Sequence, residues 1–71
     1  MSSIHDKEYR ELIRRLIEAR KNAGLTQTEV AEKLGHHQSF LSKIETCQRR
    51  LDVVELKRFA FLYGVGLADF F

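Results

Sequence analysis

No proline interrupts the chain, and its four glycines, Gly24, Gly35, Gly64 and Gly66, fall between stretches whose apolar residues recur at helical spacing. Proline breaks or kinks helices, whereas glycine enters the left-handed region without a Cβ penalty and so ends them. The chain therefore reads as short helices separated by tight turns. From about Lys7 to Ala23, residues Tyr9, Leu12, Ile13, Leu16 and Ile17 sit at i, i+3, i+4, i+7 and i+8. They form one apolar face, with Arg10, Arg14, Arg15 and Glu18 around the remainder.

Thr26 and Glu29 have the S/T-x-x-E spacing of a capping box, so a short helix is expected from Gln27 to Leu34, burying Val30, Ala31 and Leu34 and stopping at Gly35. A third helix, about Gln38 to Thr46, has only Leu41 and Ile44 as a buried i, i+3 pair. The rest of its surface is polar, so it docks by a thin stripe and turns a wide hydrophilic face outward. Asp52 and Glu55 repeat the capping spacing and open a fourth helix to about Tyr63. Its expected inward stripe is Val53, Leu56, Ala60 and Tyr63, with Phe59 at the margin. A last turn, Leu67 to Phe71, closes the chain.

Seventy-one residues suffice for one domain, residues 1–71, with a single hydrophobic core. The 44% hydrophobic and 31% charged content suits a soluble globular chain rather than disorder or a membrane span. No apolar run reaches the roughly 18 residues of a transmembrane helix, and no secretory signal is visible in the first ten residues, so a cytoplasmic protein is expected. Cys47 is the lone cysteine and has no partner for an internal disulfide. No carboxylate pair, nucleophile–base set or phosphate-cradling glycine loop is present, which argues against an enzyme and against any cofactor.

The second and third helices are joined by a turn that begins at Gly35. A steep crossing of two such short helices needs a small residue where they meet and a turn residue that tolerates positive φ, roles that Ala31 and Gly35 fill. Here LTQTEVAEKLG followed by HHQSFLSKIE resembles the Cro and phage-repressor type of helix-turn-helix, the XRE family. The resemblance extends from about Tyr9 to Phe71. It implies an all-α, compact five-helix bundle of the lambda-repressor-like kind, with the helix-turn-helix at about residues 27–46.

It also implies that Gln38 to Thr46 is the recognition helix, laid in the major groove of double-stranded DNA. The base-reading positions then fall on Gln38, Ser39 and Lys43, with Ser42 alongside. Their chemistry agrees: glutamine can bond adenine bidentately, lysine guanine, and serine either. Gln27 matches the family's phosphate-contacting glutamine and would brace Gln38. Arg20 and Glu45 match an arginine–glutamate pair that fixes the reading helix. From Gly35 to Leu51 the single acid is Glu45, so Arg49 and Arg50, with His37, are placed to grip phosphates and set register. The net charge of +2 is thus one-sided in its distribution.

Plainer readings stand beside these. Gln38, Ser39 and Lys43 suit an ordinary solvated face, and Arg20 with Glu45 suits a surface pair contributing under about 1 kcal/mol. His36, His37 and Cys47 have metal-ligand chemistry, but adjacent histidines diverge and no fourth ligand is apparent, so no metal is expected. His36 is expected under the turn, in place of an aliphatic residue. Cys47 stands where the family usually has glycine, and a left-handed cysteine there costs on the order of 1 kcal/mol.

The fourth helix has more apolar residues than one face can bury. Val54 and Phe61, i and i+7, lie on another side, and with Val65, Phe70 and Phe71 they suggest a self-complementary patch. The expectation is a homodimeric transcriptional regulator, chiefly a repressor, reading a palindromic operator. Its half-sites would lie about 34 Å apart, and the bound protein would associate with the nucleoid. The alternative is an antitoxin-type interaction module that neutralises a partner protein and binds DNA for autoregulation. Phe61 and Phe71 folding back onto the monomer's own core is the plain alternative to dimerisation.

Overall fold

A computed structural model describes residues 6–70. Four α-helices follow one another: α1 (Lys7–Asn22), α2 (Gln27–Lys33), α3 (Gln38–Glu45) and α4 (Val53–Tyr63). The fifth expected helix is a single 3₁₀ turn, Leu67–Phe70. The turn is fixed by Asp69, whose carboxylate accepts from the Gly66 N–H at 2.9 Å. Phe71 lies outside the described residues.

Each helix start has a local cause. Asp6 caps α1 by accepting from the Glu8 N–H at 2.7 Å. Both expected capping boxes form: the Thr26 hydroxyl accepts from Glu29 N–H at 3.1 Å while the Glu29 carboxylate accepts from Thr26 N–H at 3.0 Å. Asp52 and Glu55 do the same at 2.8 and 2.9 Å. At the other end, α4 stops at Gly64 in the left-handed region, φ 71°.

The core is the common interior of the four helices and the terminal turn. Leu16, Val30, Leu41, Ile44 and Phe59 are fully enclosed, one or two from each helix. α2 and α3 pack chiefly on each other, and α1 backs α3, α4 and the 3₁₀ turn. The apolar stripe of α4 differs from its expected position. Leu56, Phe59, Ala60 and Tyr63 point inward, which puts Phe59 at the centre. Val53, at the first turn of the helix, projects past the edge of the core and is 73% exposed.

α1 also pins the segment after α3. The Tyr9 hydroxyl accepts from the Leu51 N–H at 3.0 Å, and burial raises its pKa despite that hydrogen bond. Residues 49–51 are thereby fixed against the first helix, so α3 is held from both ends.

Candidate nucleic-acid interface

The turn between α2 and α3 forms around Gly35, whose φ of 75° an L side chain rarely adopts. Just past it, the His36 N–H returns to the Ala31 carbonyl at 2.8 Å. Ala31 is buried, which allows the two helices a close approach. α3 then docks through Leu41 and Ile44. Gln38 and Ser42 are half-buried, and Ser39 and Lys43 are exposed.

Gln38 is not an unsupported surface amide. Its Nε2 donates to Gln27 Oε1 at 2.6 Å, and Gln27 Nε2 donates in turn to Glu45 Oε1 at 2.8 Å. Glu45 also receives the Arg20 guanidinium, Nε on Oε2 at 2.7 Å and Nη2 on Oε1 at 3.2 Å. The two side chains are 11% and 4% exposed, so this is a buried charge pair and not a surface one. Arg20 Nη1 reaches the Leu25 carbonyl at 2.9 Å, which ties the entrance of α2 to the same anchor.

The relay fixes chemistry as well as position. Because carboxylate oxygens only accept, Gln27 must turn its N–H to Glu45 and its oxygen to Gln38. Gln38 therefore gives one N–H to Gln27 and keeps its oxygen and second N–H, an acceptor beside a donor, at the start of α3.

His37 caps α3, its Nδ1 accepting from the Ser39 N–H at 3.2 Å. His36 is exposed and stacks on Phe40, ring centroids 3.9 Å apart, so it does not lie under the turn as expected. Cys47 has φ 60° and keeps the left-handed stop after α3. Both histidines and the cysteine thus have separate structural roles.

Arg49 and Arg50 part company. Arg49 closes a two-pronged bridge on Glu55, Nη1 to Oε1 at 3.1 Å and Nη2 to Oε2 at 3.0 Å, with its guanidinium 4.8 Å from the Phe40 ring centroid. That fork holds the Glu55 carboxyl below the usual carboxylate range. Arg49, expected on phosphates, is thus engaged within the chain because Glu55 stands opposite it at the start of α4. Arg50 lies over Tyr9, 5.6 Å from the ring centroid. Sequence reasoning missed Glu55 and Tyr9 as positioning residues: a capping-box glutamate and a core-face tyrosine give no sign of a second role across a loop.

The residues expected to pair two copies are scattered. Phe70 is 4% exposed and belongs to the core of its own chain, which removes it from any surface patch. Val65 is half-buried against that core. Val54 and Phe61 do face outward, Phe61 with 88% of its surface exposed. With Leu34 and Leu62 they floor a cleft of about 530 Å³ rimmed by Lys33, Lys57 and Arg58. A two-fold pairing centred there would set those cations against their own copies.

Among the described residues no helix is long and apolar enough to cross a membrane. A helix-turn-helix family model matches residues 16–70, most of the chain. Among solved structures the chain is similar to an XRE-family like protein from Pseudomonas syringae pv. tomato str. DC3000. The identity is 45% and the TM-score 0.85, over 94% of this chain and 82% of that one. A search among curated proteins finds no match. With the family model spanning the two crossed helices and their supports, the chain belongs to the XRE family of helix-turn-helix DNA-binding regulators.

Proposed function

We propose that the chain represses transcription by reading a specific duplex site through α3, with Gln38 as the principal base-reading residue. The observation that supports this is the relay from Arg20 through Glu45 and Gln27 to Gln38. The oxygen and second N–H left on Gln38 match the N6 donor and N7 acceptor of adenine in the major groove. Ser39, Ser42 and Lys43 lie within two turns on the same helix and take the neighbouring base edges, Lys43 suiting guanine.

Phosphate contacts come from the remaining N–H of Gln27, from His37 and from Arg50. With His37 Nδ1 accepting from the backbone, the neutral ring carries its proton on Nε2 and can donate outward. A single short helix gives limited contact, whereas specific DNA complexes typically bury on the order of 1,000–2,500 Å² of protein. Two copies on a palindromic operator, half-sites one helical turn apart, meet that need.

Selection of bound sequences from a random duplex pool tests this. Enrichment of an inverted repeat with an adenine under Gln38, its half-sites about 10 base pairs apart, is the expected result. A single enriched half-site would remove the paired arrangement, and no enrichment at low salt would remove specific recognition altogether.

A further inference from the structure

The cleft on the outer side of α4 shares no residue with α3 or with the relay behind it. Its floor is apolar and its charged lining has one sign. Lys33 feels Glu29 one turn back on α2, but among the described residues no acid lines the cleft itself.

We propose that this cleft docks an acidic amphipathic helix presented by a partner protein. Phe61 supplies the anchor: a phenylalanine this exposed gains nothing from a phosphate backbone, which would leave its ring in water, and gains much from an apolar side chain laid against it. Val54 and Phe61 stand seven residues apart on α4, about 10.5 Å along the axis, which matches two turns of an apposed helix with apolar residues at i, i+3 or i+4, and i+7. Aspartate or glutamate flanking that stripe meets Lys33, Lys57 and Arg58. A second copy of the same face would bring like charges together, so charge complementarity selects an acidic partner over self-association. Docking here leaves α3 on DNA, so the regulator can hold operator and partner together.

The test uses the full chain and three synthetic helical peptides with one leucine stripe and flanking positions of glutamate, glutamine or lysine. Fluorescence anisotropy should show the glutamate peptide binding at least ten-fold tighter than the glutamine peptide, and the lysine peptide weakest. Phe61→Ser should lose at least ten-fold for the glutamate peptide, and the double charge reversal Lys57→Glu with Arg58→Glu should turn the preference toward the lysine peptide. Operator affinity should stay within two-fold in Phe61→Ser, which leaves the charge unchanged and so separates this surface from the DNA-reading one. Equal binding of the glutamate and glutamine peptides overturns the proposal. So does a loss of operator binding in Phe61→Ser matching the loss of peptide, which would make the cleft part of the DNA interface. Sedimentation showing that Phe61→Ser converts a dimer to a monomer would assign the cleft to a second copy and equally overturn it.

Discussion

Gln38 and Phe61 both stand at the surface of short helices, yet one is anchored to the interior and the other is not. Gln38 is tied through Gln27 and Glu45 to an arginine inside the protein. Phe61 projects from α4 beside a cleft, with no such chain of supports. The difference follows from the forces each face uses. Hydrogen bonds to a base edge are directional, so a flexible amide must be held in place before DNA arrives. Apolar contact is non-directional, and an anchor for it needs only exposure and a receptive shape. Substitutions on the α3 side should therefore propagate inward into stability, while those on the outer side of α4 should stay local.

The largest effect is expected at the foot of the relay. Glu45→Ala leaves Arg20 buried with the Leu25 carbonyl as its remaining partner, a situation that typically costs about 3–5 kcal/mol. Urea unfolding should show that loss, and at temperatures where the variant is still folded its preference for the selected site should fall as well. Binding of the glutamate peptide at the α4 cleft should be retained. If peptide and operator affinity fall together in the folded variant, the two faces are not separate and the contrast fails.

Next come the reading and gripping roles. Gln38→Ala should lose about 1–3 kcal/mol on the selected site and relax preference at one base position, with little change on random duplex. Arg50→Ala should weaken every sequence alike and reduce the slope of log K against log salt by about one. A Gln38→Ala variant that weakened random duplex as much as the selected site would reduce the relay to a scaffold for α3.

The same contrast governs what could be read beforehand. Helix limits were legible because capping boxes at Thr26–Glu29 and Asp52–Glu55 and a stop at Gly64 are local chemistry, set by residues three or four apart. Arg20, Gln27, Gln38 and Glu45 were legible by a different route, a family resemblance that brings distant positions together. Periodicity alone leaves all four as polar residues on helical faces. The outer face of α4 was only half legible: an apolar surplus was visible, but the spacing of Val53 and Phe59 does not say where a helix overhangs its core. Phe70 was misplaced for a related reason, since a terminal turn packs wherever the bundle leaves room. The ion pair of Arg49 was not legible because its partner, Glu55, lies across a loop whose geometry no short-range pattern encodes.

Cys47 offers a smaller effect that sharpens the comparison. Its φ of 60° is a left-handed conformation that L side chains adopt at a cost, in the segment that ends α3. Cys47→Gly should raise stability by about 0.5–1 kcal/mol in urea, since glycine accepts that backbone but loses more entropy on folding. Operator affinity should not change, because the turn already has the geometry that glycine would adopt. A change in operator affinity without a change in stability would show that the thiol, and not the backbone, matters at this position.

The smallest expected effect lies at the seam between the two faces, where Glu55 of α4 holds Arg49 from the end of α3. The Arg49 fork comes first among the causes that keep the Glu55 carboxyl below its ordinary value near 4.5. A carboxyl depressed in the folded state binds fewer protons there than in the unfolded chain. Its contribution is therefore complete above about pH 4.5 and is lost as pH falls toward the depressed folded value. Glu55→Gln should flatten this part of the acid limb, and as Arg49 is about two-fifths exposed the cost at neutral pH should stay under about 1 kcal/mol. The same change releases a guanidinium beside the reading helix. If Glu55 is what keeps Arg49 from phosphate, Glu55→Gln should steepen the salt dependence of operator binding by about one counterion. An unchanged slope would mean that stacking on Phe40 is enough to hold Arg49 off the duplex, and that α4 has no influence on the DNA face.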